Sequence, residues 1–224
     1  MKFAGPPLDQ GPLPALIYLA LSDQESLYQD PFNQPVIALD GKPIRVFSFT
    51  IPGHGPDLDP TKAIAIWESE FQAGRDLLTP FFDETAKAIE DLIAQNIATK
   101  VAIAGLSRGV YCACHIASRL ERIQHILGFA PMIEFHAAPQ LSLDQHIDTL
   151  STRTIRFYMG NRDIRTGTGT CFAYVQKLVE SAFEKRIRSS PIEMIIGPSI
   201  GHQGHGTPPH VFQAGSEWVW ERLQ

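Results

Sequence analysis

A serine, an aspartate and a pair of histidines stand in this chain in surroundings that suit nucleophilic chemistry. Ser107 lies in Gly105-Leu106-Ser107-Arg108-Gly109, a G-x-S-x-G pattern. The apolar run Lys100–Ala104 before it reads as a buried strand, and the small-residue run Val110–Ala117 after it reads as a helix. Strand, tight turn and helix make a nucleophile elbow, with the hydroxyl exposed at the tip of a sharp bend. The positions two before and two after the serine crowd neighbouring backbone there, so both are glycine. The same letters also occur at ordinary strand-to-helix turns; the flanking elements set this one apart.

A serine hydroxyl is a poor nucleophile until a base takes its proton. That base is normally a histidine held in one tautomer by a carboxylate. In elbow-type sites the chain order is serine, then acid, then histidine. Asp163 suits the acid. It lies in Gly160-Asn161-Arg162-Asp163, after the strand-like run Ile155–Met159, and active groups of open α/β sheets collect at strand C-termini. A turn aspartate after Gly-Asn is the plainer alternative, and Glu134, just past the preceding strand, is the rival acid. The base comes from Gly201-His202-Gln203-Gly204-His205-Gly206. Both histidines are candidates. His205 is preferred because it adjoins Thr207-Pro208, where the last helix starts, and a fixed element holds a base better than mid-loop does.

The elements that must position these groups alternate between apolar runs and helical stretches, as in a parallel sheet covered on both faces. The strand-like runs are Ala15–Leu21, Ile44–Phe49, Lys100–Ala104, His125–Ala130, Thr154–Met159 and Glu193–Ile196. Most are too apolar for a sheet with one wet face, which favours parallel pairing. Thr61–Gln95 contains Pro80 and reads as two helices or a kinked one; Ala86, Ile89, Ile93 and Ile97 form a one-sided stripe along it. Further helices are expected over Ser107–Leu120, over Cys171–Ile187 with Phe172, Val175, Leu178, Val179 and Phe183 on its inner face, and from about Pro209 to Leu223, capped by Thr207. Ile133–Thr152 has room for a short helix near Leu141–Leu150 but not for a large lid domain.

Composition bounds the remaining classes. The chain has 224 residues, 44% of them hydrophobic and 19% charged, which suits one α/β domain over residues 1–224. A net charge of -5 without any basic block argues against nucleic acid. No stretch reaches the length of a membrane span, and the segment Leu13–Leu21 reads as a core strand, not an export signal. Cys112, Cys114 and Cys171 make no disulfide framework and no C-x-x-C, so reduced thiols in a cytoplasmic protein are expected. Neither histidine of the loop has a cysteine or carboxylate nearby in sequence, so no metal and no cofactor is expected. Oligomeric state is not legible.

Together, Gly-Leu-Ser-Arg-Gly at 105–109, Gly-Asn-Arg-Asp at 160–163 and Gly-His-Gly-Thr-Pro at 204–208 resemble the α/β-hydrolase superfamily. Pro52-Gly53-His54-Gly55 is similar to a turn found after an early strand of that family. The resemblance spans Ala15 to the C-terminus, and its compact form is similar to dienelactone-hydrolase and prolyl-oligopeptidase-type catalytic domains. It implies an α/β-hydrolase fold, a mostly parallel central sheet of about six core strands, here lacking the first two strands of larger members. It implies a Ser107–His205–Asp163 triad acting on a small-molecule acyl substrate, as a carboxylesterase-like serine hydrolase or a peptidase. Dienelactone hydrolases use cysteine at the elbow; this chain has Ser107. The His-Gly that many members carry after the first core strand is replaced by Ser22-Asp23, so the oxyanion hole is expected from the amide of Arg108 with that of Ser22 or Asp23. The alternatives are a non-enzymatic binding module on the same fold and an acyltransferase. His54 is expected as a turn residue, and Arg108 as a side chain that lines the pocket mouth and attracts an acidic substrate group, or else is solvated or pairs with a carboxylate.

Overall fold

A computed structural model describes residues 1–224. Its framework is a seven-stranded sheet in the order β1-β3-β2-β4-β5-β6-β7. The strands are β1 Lys2–Ala4, β2 Leu13–Leu19, β3 Arg45–Ser48, β4 Ala98–Leu106, β5 His125–Phe129, β6 Thr154–Gly160 and β7 Ile192–Gly197. All neighbours are parallel except β1, which runs antiparallel along β3. The six expected strands are present. The added one, β1, is an antiparallel edge strand that a sheet lacking both early strands would not have; three residues at an open edge leave too short a pattern to read.

The strand period of two explains the layering. Ala15, Ile17 and Leu19 of β2 face one core, while Leu16 and Tyr18 face the other. The first core is covered by α3 Ala63–Gln72, α4 Leu78–Ala94, α5 Arg108–Arg119 and α7 Thr168–Glu184, through Trp67, Phe82, Tyr111 and Tyr174. The second is covered by α1 Asp23–Tyr28 and α8 Pro209–Leu223, through Leu27, Phe212 and Trp218. Short helices α2 Gln34–Ala38 and α6 Ile147–Leu150 complete the set. No helix is long and apolar enough to cross a membrane.

Some helix expectations need correction. The break in 61–95 falls at Ala73–Leu77, where Gly74 takes φ +73°, and Pro80 sits in the first turn of α4, where its missing N–H has no intrahelical role. On α7, Phe172, Val179 and Phe183 are exposed; Cys171, Tyr174, Val175, Leu178 and Ala182 face the core. The stripe is shifted because three apolar residues sit on the outer face. Thr207 does not cap α8: the N-cap is Pro208, with Pro209 at the first helical position.

Register aligns the strand ends that matter. Leu19 of β2 pairs with Gly105 of β4, Gly105 with Gly128 of β5, and Gly160 of β6 with Gly197 of β7. The chain therefore leaves β2, β4, β5, β6 and β7 at one edge of the sheet, and the loops that follow gather there.

Candidate active site

Ser107 occupies the turn between β4 and α5 with φ 56° and ψ -119°. A non-glycine residue at positive φ is held only when its surroundings over-determine it. Here its N–H donates to the Phe129 carbonyl (2.8 Å), and its own carbonyl accepts from Val110 (3.0 Å) and Met132 (3.1 Å). The flanking glycines are required by packing. A Cβ on Gly105 would overlap the Gly109 backbone, and one on Gly109 would overlap the Leu19 carbonyl.

Asp163 follows β6. Its side chain is fully buried. Oδ1 accepts from the N–H groups of Arg165 (2.9 Å) and Thr166 (3.0 Å), and Oδ2 accepts from the Thr166 hydroxyl (3.1 Å). Thr168 ties the loop to its strand: its hydroxyl donates to the Gly160 carbonyl (2.6 Å) and accepts from the Asp163 N–H (3.0 Å). Thr166 and Thr168 were not anticipated. The polar run Arg162–Thr170 carried the signal, because an aspartate followed closely by threonines and glycines is the composition of a side-chain-capped turn.

His205 closes the arrangement. Its Nδ1 lies 2.7 Å from Asp163 Oδ2, and its Nε2 lies 2.8 Å from Ser107 Oγ. A carboxylate only accepts, so Nδ1 carries the proton and Nε2 accepts from the serine hydroxyl. The histidine loop is sewn to the acid loop. The Ile164 N–H donates to the Gln203 carbonyl (3.0 Å), the Arg162 N–H to Ser199 Oγ (2.6 Å), and Gly206 N–H to Ile200 within the histidine loop (2.8 Å). Burial pushes the imidazole pKa down, Asp163 pushes it back up, and Arg165 and Arg108 lower it further. The net direction is downward, so the ring is a neutral acceptor near pH 7.

The rivals stand elsewhere. His202 is exposed, and its carbonyl accepts from the His205 N–H (3.1 Å). Glu134 lies on the rim of the same cleft but turns to His136 (3.5 Å) and makes no contact with His205.

The amides expected as oxyanion donors differ in what they already bind. The Arg108 N–H opens α5, where a helix leaves its first amides without internal acceptors. The Ser22 and Asp23 N–H groups are not free. Ser22 is the N-cap of α1 in a capping box, and its N–H donates to Glu25 Oε2 (3.1 Å). The Asp23 N–H donates to Thr50 Oγ1 (3.1 Å), and its carboxylate turns to the Met1 amino group (3.5 Å) and Lys2 (3.8 Å). Helix entry engages the Ser22 amide and the Thr50 hydroxyl engages that of Asp23.

Around Ser107 opens a cleft of about 500 Å³ lined by Arg108, Ile64, Met132, Phe135, Ile164 and Arg165, among others. His54 sits deeper than a turn residue should. It is buried, and its Nε2 accepts from Arg108 Nη1 (3.3 Å), while burial and that guanidinium push its pKa down to about 4. Cys112, Cys114 and Cys171 are buried and unpaired, and no group of histidine, cysteine and carboxylate residues is arranged to hold a metal ion.

No family model and no curated protein matches the chain by sequence. Solved structures do match by shape. Est1E from Butyrivibrio proteoclasticus, solved with ferulic acid, superposes with a TM-score of 0.72 at 12% identity over 99% of this chain and 94% of its own. A cold-adapted esterase from an Arctic intertidal metagenomic library gives 0.69 at 16% identity, over 96% and 86%. An alpha-beta serine hydrolase homologue from Coxiella burnetii gives 0.61 at 13%, over 94% and 85%. Likeness at such low identity speaks to architecture, and it agrees with the strand order and the edge at which the loops gather: the chain has the α/β-hydrolase fold.

Proposed function

We propose that the chain is a serine hydrolase that cleaves an ester or similar acyl bond through Ser107, His205 and Asp163. The observation that carries this reading is the unbroken chain of hydrogen bonds from Ser107 Oγ through both ring nitrogens of His205 to the buried Asp163 carboxylate. As Oγ attacks the acyl carbon, His205 Nε2 takes its proton, and the imidazolium is stabilised by Asp163. The tetrahedral oxyanion faces the Arg108 N–H. His205 then protonates the leaving group, and water, activated by the same nitrogen, resolves the acyl-enzyme. The likeness in shape to known esterases supports an ester as substrate. A fluorophosphonate probe tests the reading, because only an activated serine reacts with it: labelling of Ser107 is expected, and an unlabelled folded protein contradicts it.

A second reading, a binding module that keeps the fold without turnover, draws on one observation: the Ser22 and Asp23 amides already donate to Glu25 and Thr50 side chains. It predicts no labelling. Acyl transfer to an alcohol or thiol shares every step up to the acyl-enzyme.

A further inference from the structure

Arg108 follows the nucleophile and is buried, yet no carboxylate pairs with it. Its Nη1 donates to His54 Nε2 (3.3 Å) and to the Pro60 carbonyl (3.1 Å). That leaves Nε and Nη2, the edge of a guanidinium that presents parallel N–H donors. Neither is sealed from solvent without a partner, and Arg108 lines the cleft. Arg165 lines the same cleft, is exposed, and makes no ion pair. Burial, with the charge of Arg165 added, pushes the Arg108 pKa down to about 10, which keeps it charged at neutral pH.

Buried charges are normally paired, because leaving water uncompensated is costly. A second cation beside an unpaired buried one adds repulsion. This arrangement therefore calls for an anion that arrives with the ligand. The Nε/Nη2 edge matches a planar carboxylate in a bidentate contact, a geometry that lysine cannot reproduce. The acidic residues of the cleft do not serve. Glu134 turns to His136, Glu68 makes no ion pair, and both are exposed, where water screens them. Ile64, Met132, Phe135 and Ile164 add apolar surface to the same cleft, beside threonines and His136.

Resting on the hydrolase reading above, we propose that the preferred substrates are esters carrying a carboxylate near the scissile bond, held by the side chain of Arg108 and guided in by Arg165. The Arg108 residue would then act twice, its amide facing the oxyanion and its side chain selecting the substrate.

The test compares matched ester pairs with the purified full chain. Mono-p-nitrophenyl succinate against p-nitrophenyl butyrate places the charge on the acyl side. 4-Acetoxybenzoate against its methyl ester places it on the leaving-group side. A preference in kcat/KM of roughly ten- to a hundredfold for the anionic member of at least one pair is expected, the scale of a charge-assisted hydrogen bond. Arg108→Met should collapse that ratio, and Arg165→Gln should reduce it and weaken its dependence on salt. Free succinate should slow fluorophosphonate labelling of the wild type, a readout that survives if Arg108→Met fails to fold. Equal or faster turnover of the neutral esters, with no protection by succinate, overturns the carboxylate proposal and leaves the hydrolase reading standing. No turnover of any ester and no labelling overturns both.

Discussion

Gly204 of the histidine loop lies so close to Arg162 of the acid loop that a Cβ on Gly204 would overlap the Arg162 carbonyl. Gly204 also takes φ +75°. The two loops that carry His205 and Asp163 are thus held against each other by a contact with no room for a side chain. Gly204→Ala is expected to push His205 away from Asp163 or Ser107. A displacement near 1 Å costs on the order of 10²-fold in rate. Ester turnover should fall by about that factor while the protein stays folded; turnover within twofold of wild type would show that the contact does not position the base.

The acid can be tested by charge alone. Asp163→Asn keeps the shape but favours the wrong imidazole tautomer, and a loss on the order of 10⁴-fold in kcat is expected. Glu134→Gln should leave turnover within a few-fold. The reverse pattern would move the acid role to Glu134.

The pH profile has a predictable sign. His205 must be neutral to act as base, and its pKa is pushed below the usual histidine value by burial, against Asp163, with Arg165 and Arg108 adding to the depression. Turnover should therefore hold through neutral pH and fall only on the acid side, as the ring gains its proton. Removing the Arg165 charge favours the imidazolium, so Arg165→Gln should move the acid limb of kcat/KM to higher pH. A shift to lower pH, or none in low salt, contradicts this electrostatic account.

The helix start at Ser22 has a stability consequence. Ser22 Oγ accepts from the Glu25 N–H (3.1 Å) while Glu25 accepts from the Ser22 N–H. Ser22→Ala removes the cap and should cost about 1 kcal/mol, read as a lower urea midpoint with an unchanged slope. An unchanged midpoint would mean that α1 does not depend on its cap.

The groups brought together by the fold were legible in the sequence because each is marked by local constraint. Glycines at 105 and 109 report crowding at the elbow. An aspartate after β6 and a glycine-flanked histidine before α8 lie where an open parallel sheet delivers its loops. The oxyanion region was misread for a physical reason. Ser22-Asp23-Gln24-Glu25 is also a capping box that binds the Ser22 amide, and Thr50, distant in sequence, binds that of Asp23. The strand β1 was too short for its period to register, and the inner face of α7 was obscured by exposed Phe172, Val179 and Phe183. The burial of Arg108 depends on His54 and Pro60, which are far away in sequence, so its missing counter-charge emerges only in three dimensions.

The most direct measurement is fluorophosphonate labelling followed by peptide mass spectrometry on wild type, Ser107→Ala, His205→Ala and His202→Ala, with folding checked by circular dichroism. The account predicts a single adduct on Ser107, lost in Ser107→Ala and His205→Ala and retained in His202→Ala. An adduct retained in His205→Ala and lost in His202→Ala, or a folded wild type that takes no label, would contradict it.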